Sequence, residues 1–148
     1  MEKVSAANQE KFDAQPPVHF EVALNADINS ISPIVTWVMH LVRDTKYVSG
    51  KEFEIEMALR EALANAIVHG CKSDPEKKIE CTVTASSEGG ILIVVSDPGD
   101  GFDPQTLPCP TNEQNVFSEN GRGIYLIDKS MDEVRFERNG AEIHMRKY

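Results

Sequence analysis

An amphipathic helix is predicted to end in REALANAIVHG, residues 60–70, where Gly70 is a typical helix stop. Three polar side chains follow one another at every fourth position of this helix: Glu61, Asn65 and His69. Residues four apart lie on the same side of a helix, so the three side chains form one polar stripe beside the apolar side.

Glu61 and Asn65 flank the apolar side, so we expect them to border a cavity at the edge of the core. A carboxamide oxygen is a suitable neutral ligand for Mg²⁺, which takes few protein ligands and keeps phosphates and water as the others. A carboxylate one turn away could accept a proton from an attacking hydroxyl or water. The alternative is an ordinary solvated helix edge. We assign His69 to packing or to capping of the helix end.

A second polar segment ends a predicted buried strand: VVSDPGDGF, residues 94–102. A buried carboxylate such as Asp97 needs a dedicated partner, because an unpaired charge is costly away from water. The exocyclic amine of a purine would be such a partner, and Gly99 and Gly101 would let the backbone approach a flat ring closely. The same residues are also compatible with a plain strand-to-loop turn, since Asp-Pro-Gly is common turn chemistry.

The third segment is ENGRGIYLI, residues 119–127, in which Gly121 and Gly123 lead into a helix. The free N–H groups and the dipole at a helix N-terminus favour phosphate, and Arg122 could add positive charge there. A single Gly-x-Gly pair is also compatible with an ordinary glycine-rich start of a helix.

The order of predicted elements is strand, helix, helix, strand, strand, long loop, helix, strand, strand. Several hairpin signals indicate a mixed, mostly antiparallel sheet, and three helices are enough to cover one of its faces. The sequence therefore predicts an α+β protein built as a two-layer sandwich. The predicted strands are 18–26, 79–86, 91–97, 132–138 and 141–147, the helices 29–47, 52–70 and 121–131, and the loop 98–120.

Composition restricts the classes of function. The 148 residues carry a formal net charge of −9, and an acidic surface repels phosphate backbones, so nucleic-acid binding is not expected. Neither a membrane span nor a secretory signal is apparent, so we expect a cytoplasmic protein without a membrane partner. Three cysteines without a Cys-x-x-Cys pair argue against both a disulfide framework and a zinc site. Residues 1–16 are predicted to be a flexible leader and 17–148 a single domain.

Taken together, the three segments resemble the ATP-binding (Bergerat-type) fold shared by DNA gyrase, a heat-shock chaperone, sensor histidine kinases and the MutL repair proteins. Within this superfamily the chain looks most like the bacterial anti-sigma factors that are also serine-protein kinases. The resemblance covers about residues 18–147 and rests on EALANAIVHG, SDPGDGFDP, GRGIYLIDKSMDEVRF and NGAEIHMRK.

The resemblance implies a role for each motif residue. Glu61 would be the general base toward a serine hydroxyl, and Asn65 would hold the Mg²⁺ that bridges the ATP phosphates. Asp97 would accept a hydrogen bond from the adenine amino group, and the adenine side of the pocket would be shaped by Gly99 and Gly101. Phosphoryl transfer needs positioning and charge neutralisation more than covalent chemistry, which agrees with this set of residues.

On the phosphate side, the resemblance implies a lid at residues 102–120. The phosphates would be contacted by Gly121, Arg122 and Gly123. This lid has no Lys or Arg of its own, so phosphate binding would depend on Arg122, backbone N–H groups and the metal. A second departure is Ala141, where the family often has a threonine that holds a water on the adenine. Losing one water-mediated hydrogen bond costs roughly 1 kcal/mol.

The resemblance also implies partners. The expected function is an ATP-dependent serine-protein kinase and anti-sigma factor, which phosphorylates a small antagonist protein and sequesters a sigma factor. Ala141 and the weakly charged lid leave open a second function, an ATP-sensing binding protein with little or no kinase activity. A simple ATP hydrolase is the third alternative. A homodimer through the N-terminal strand and the first helix is a further expectation from the family.

Overall fold

The computed structural model describes residues 17–99 and 119–148, and of residues 119–122 it describes only the backbone. The predicted leader at 1–16, Gly101, the Arg122 side chain and the lid up to residue 118 therefore lie outside the described residues. Within the described part of the chain, no helix is both long and apolar enough to cross a membrane.

The predicted order of helices and strands is confirmed. Short 3-10 turns lie at Ile28–Ser30 and Arg138–Gly140, and a π-helical turn at Ala66–Gly70 follows the second helix. In the described residues the helices are α1 (Ile31–Thr45), α2 (Glu52–Asn65) and α3 (Glu119–Ser130), and the strands are β1 (Val18–Asn25), β2 (Lys78–Ser86), β3 (Gly90–Ser96), β4 (Glu133–Glu137) and β5 (Glu142–Lys147).

The five described strands form one sheet in the order β1-β2-β3-β5-β4. A mixed, mostly antiparallel sheet was predicted, and each of the four pairings between these strands is antiparallel. Two pairs are joined by the predicted hairpins. Gly90 has a φ of +65° in the β2–β3 turn, and Asn139 and Gly140 have φ values of +57° and +90° in the β4–β5 turn. Such left-handed positions are why Asn-Gly signals a hairpin.

The core lies between one face of the sheet and the helices. The strands alternate between buried and more exposed residues, as a half-buried sheet requires. The predicted apolar side of α2 and the π-turn that follows it is confirmed, because all of its members are buried: Ile55, Leu59, Ala62, Leu63 and Ala66. Each large apolar side chain buried in this way contributes about 1.5–3 kcal/mol, which holds the helical layer on the sheet.

A buried lysine connects the last strand to both neighbouring helices. The Lys147 Nζ donates to the Ser130 carbonyl oxygen at the end of α3, at 2.7 Å. It also lies 3.6 Å from a carboxylate oxygen of Glu54 in α2 and 3.7 Å from one of Asp132. A buried ammonium is tolerated only when paired in this way, so this residue helps to fix α2 and α3 over the sheet.

Candidate functional site

The end of α2 is a widened turn. The Cys71 N–H donates to the carbonyl oxygen of Ala66, five residues earlier, at 2.8 Å. A regular α-helix bonds residues four apart, so this is a π-turn, a feature frequent at functional sites. The wider turn interrupts the polar stripe after Asn65, and His69 lies in it as an exposed residue.

Asp97 lies just after the end of β3 and is only 7% exposed. Its Oδ1 accepts a hydrogen bond from the Gly99 N–H at 2.8 Å, and its own N–H donates to the Ala141 carbonyl oxygen at 2.9 Å. The carboxyl group lies against the π-turn, where a Cβ on Gly70 would be 2.2 Å from the Asp97 Cγ and Oδ2. Because glycine at position 70 has no side chain, it leaves the space that the Asp97 carboxyl group occupies.

We expect Gly70→Ala to destabilise the protein by about 1–3 kcal/mol, because the new methyl group would overlap the buried Asp97 side chain. Alanine is otherwise the better helix former, so a loss would come from this contact. Urea unfolding of the variant measures the change. His69→Ala, an exposed neighbour in the same turn, is the control and should stay within about 0.5 kcal/mol of wild type. Equal stability of Gly70→Ala and wild type would contradict this packing.

Burial controls the charge of Asp97. Removal from water raises the pKa of this carboxyl above its usual 3.8, and the Gly99 N–H, the Arg138 guanidinium and the Lys77 ammonium partly offset the rise, in that order. Arg138 is held close, because it donates to the Ser96 Oγ at 2.7 Å and to the Asp97 carbonyl oxygen at 3.2 Å. Burial therefore destabilises the ionised form of the Asp97 carboxyl group, and another hydrogen-bond donor would stabilise it.

This raised pKa predicts a pH-dependent cost in stability. The folded protein holds the Asp97 proton more tightly than the unfolded chain does, so protonation of this carboxyl stabilises the folded state. This stabilisation is fully present below the pKa of the unfolded chain, near 3.8, and is lost as pH rises through the higher pKa of the folded protein. Asp97→Asn cannot titrate. The unfolding free energy of the variant minus that of wild type should therefore increase through this pH window and then stay level. Parallel urea titrations at several pH values measure it, and a difference that falls with pH would contradict the assignment.

Asn65 and Asp97 line the same cleft between α2 and the sheet. Small-molecule sites are mostly apolar with a few placed polar groups. The remaining walls come from three places: α2 and the following turn (Ala62, Ala66), the strands (Val95, Phe136, Ile143) and the β4–β5 hairpin (Gly140, Ala141). Apolar walls with one buried carboxylate suit a flat ring that carries an amine.

Glu61 and Asn65 meet α3 at Gly123. A Cβ on Gly123 would lie 2.9 Å from the Glu61 Oε2 and 3.4 Å from both terminal atoms of the Asn65 carboxamide. The fold thus brings together a carboxylate, a carboxamide and a helix backbone, and the Asn65 carboxamide of this group lines the cleft. Gly121 and Gly123 were expected to lead into this helix, but α3 begins at Glu119, so both glycines lie within its first turns.

Two residues of this region were not identified from the sequence as parts of the site. Gly70 was interpreted only as a helix stop, and its contact with Asp97 depends on how α2 meets β3. Arg138 precedes the Asn-Gly pair and has no motif of its own, yet it contacts Ser96 and the Asp97 backbone 41 residues away in the chain. Neither contact leaves a local signal in the sequence.

Known proteins resemble this chain in sequence. The serine-protein kinase RsbW of Staphylococcus aureus (strain MSSA476) is 36% identical over 102 residues, which are 64% of this chain and 64% of that protein. The serine-protein kinase RsbW of Bacillus subtilis (strain 168) is 32% identical over 102 residues, 64% of this chain and 63% of that protein. The sequence model described as "Histidine kinase-like ATPase domain" matches residues 24–147, a range that contains Glu61, Asn65 and Asp97. The chain therefore belongs to the histidine kinase-like ATPase domain family.

Proposed function

We propose that this protein binds Mg²⁺–ATP in the cleft and transfers the γ-phosphoryl group to a serine of a small partner protein. The observation that carries the proposal is the position of Asn65 and Asp97 in one cleft, with Glu61 and Asn65 together against Gly123. The similarity to two serine-protein kinases supports the choice of acceptor.

At the adenine end, Asp97 would recognise the exocyclic amine. A carboxylate offers about four acceptor positions, and the Gly99 N–H occupies one of them, so capacity remains for the amine. A hydrogen bond from the amine would also stabilise the ionised carboxylate, and so would offset part of the rise in the pKa of Asp97 that burial causes. Gly99 lies close to the turn after α2, where a Cβ would be 2.3 Å from the Gly70 carbonyl oxygen, so glycine allows this close approach of the two backbone segments. Gly101 is proposed to act beside it.

At the phosphate end, the Asn65 carboxamide oxygen would hold Mg²⁺, which supplies neutralisation of the phosphate charge when bound. Glu61 would accept the proton of the serine hydroxyl as it attacks. Gly123 would keep a side chain away from both residues, since even a methyl group there would lie within contact distance of Glu61 and Asn65. We propose phosphate contacts for Gly121 and Arg122 and a lid function for 102–120.

The proposed biological role is that of a cytoplasmic anti-sigma factor. The partners would be a small antagonist protein, whose serine accepts the phosphoryl group, and a sigma factor that the protein sequesters. A net charge of −9 fits protein partners better than nucleic acid.

Incubation with γ-labelled ATP, Mg²⁺ and candidate antagonist proteins tests the kinase proposal. The expected result is label on a serine of one antagonist, dependent on Mg²⁺. The absence of transfer to every candidate, with ATP binding intact, would remove the kinase function.

A second function is favoured by one observation at the cleft. Ala141 lines it with 2% exposure, so a methyl group takes the place of the hydroxyl that the family often presents to a water. A weaker nucleotide site would suit an ATP-sensing protein, in which ATP changes partner affinity with little catalysis. Partner binding that requires ATP and survives Glu61→Ala would favour this function over the kinase.

A further inference from the structure

A cluster of three potential metal ligands lies on the sheet face opposite the helices. In the β4–β5 pair, Glu137 lies directly opposite Glu142, and His144 is two residues further along β5. Residues two apart on a strand point to the same face. Their neighbours Phe136 and Ile143 alternate with them and line the cleft on the other face, so the cluster is separate from the proposed ATP site and does not depend on it.

The ligand atoms of the cluster are already close together. The His144 Nε2 lies 3.1 Å from the Glu142 Oε2 and 3.9 Å from the Glu137 Oε2. All three ligand atoms lie within 4.8 Å of one another. Bonds of about 2.0–2.2 Å to Zn²⁺ place neighbouring ligands of a tetrahedral site roughly 3.3–3.5 Å apart. Small side-chain movements would therefore complete three ligands of such a site.

The charge arrangement is unfavourable without a cation. Like charges directly opposite on paired strands destabilise a sheet, and Glu137 and Glu142 are such a pair. The side chains of His144 and Glu142 are only 20% and 23% exposed, so water screens them incompletely. The Arg135 guanidinium partly neutralises the negative charge of Glu137, since its Nε lies 3.0 Å from the Glu137 Oε1. The other oxygen of Glu137 faces His144, which is where a metal ion would lie.

We propose that Glu137, Glu142 and His144 bind a divalent transition-metal ion of the zinc class. One imidazole nitrogen and two carboxylate oxygens suit Zn²⁺ better than Mg²⁺, which prefers oxygen ligands. The three cysteines argued against a zinc site in this protein, but this site uses none of them. Arg135 orients Glu137 from outside the ligand set. The ligands flank the turn Arg138–Gly140, so a bound ion would tie the ends of β4 and β5 together.

Zinc titration of matched variants tests the site, with a coloured chelator as the competitor. Every sample carries Cys109→Ser, and this variant is the parent protein, because a free thiol could itself bind zinc. The other two cysteines, Cys71 and Cys81, are buried. His144→Ala and Glu142→Gln should each weaken zinc binding about tenfold or more. The control is His40→Ala, because the His40 Nε2 lies 3.8 Å from an Asp44 oxygen in an exposed pair on α1, and it should bind zinc as the parent does.

Thermal unfolding gives a second readout that does not depend on the chelator. Zinc should raise the melting temperature of the parent and of His40→Ala, because an ion that binds only the folded state stabilises it. At the same zinc concentration, the rise should be clearly smaller in His144→Ala and in the isosteric Glu142→Gln. No zinc-dependent rise in the parent protein, or equal zinc affinity in the parent and both ligand variants, would overturn the proposal in favour of a metal-free hydrogen bond between His144 and Glu142.

Discussion

Glu61→Gln is expected to lower the rate of phosphoryl transfer to a serine acceptor by about 10²–10⁴-fold, with ATP affinity nearly unchanged. The amide keeps the size of the side chain beside Gly123 but cannot accept the serine proton, and a positioned general base contributes a factor of this order. Single-turnover transfer from γ-labelled ATP to the antagonist protein measures the rate, and calorimetry with an ATP analogue measures the affinity.

The matched control for this prediction is Glu56→Gln on the same helix. The Glu56 carboxylate pairs with the Arg60 guanidinium at 3.3 Å and, unlike Glu61, is not among the atoms nearest to Gly123. This variant should transfer phosphate at the wild-type rate. Wild-type transfer by Glu61→Gln would show that Glu61 is not the base. A loss of ATP binding in that variant would instead assign it to nucleotide binding.

Asp97→Asn is expected to weaken ATP binding by about 10–100-fold. The substitution removes a hydrogen bond to a charged acceptor, worth about 1.5–3 kcal/mol, and each 1.4 kcal/mol is about tenfold in affinity. The Asn amide can still accept the Gly99 N–H through its oxygen, which leaves its NH₂ group facing the adenine amine, donor against donor. Calorimetric titration with an ATP analogue and Mg²⁺ measures the change.

Asp74→Asn is the control for the affinity prediction. Asp74 also accepts a backbone N–H, that of Glu76 at 3.0 Å, but lies in the turn before β2 and does not line the cleft. Because Asp97→Asn removes a buried charge, we expect no loss of stability at neutral pH, so weaker binding could not be attributed to unfolding. Unchanged ATP affinity in Asp97→Asn would mean that the carboxylate does not contact the purine.

Much of the fold could be predicted because its signals are local. Strand β1 alternates along VHFEVALN, with Val18, Phe20, Val22 and Leu24 more buried than the residues between them. The apolar side of α2 follows from its helical period, and the Asn139-Gly140 pair requires the left-handed backbone that the hairpin has. Each of these patterns is contained in a few neighbouring residues.

The parts that could not be predicted depend on contacts between distant segments. The helical pattern of the sequence continues to Gly70 and gives no sign of the π-turn after Asn65. This turn ends the polar stripe before His69. The room for the Asp97 carboxyl depends on Gly70, 27 residues earlier in the chain. Arg138 enters the site because the β4–β5 hairpin lies beside the end of β3. Tertiary packing decides such contacts.

Adenine recognition by Asp97 is tested most directly by calorimetric titration of the wild-type protein with ATP and with inosine triphosphate, both with Mg²⁺. Inosine has a carbonyl in place of the adenine amine, so it would present an acceptor to the Asp97 carboxylate. We expect saturable binding of ATP and binding of inosine triphosphate that is weaker by about tenfold or more. No heat of binding with millimolar ATP, or equal affinity for the two nucleotides, would contradict it.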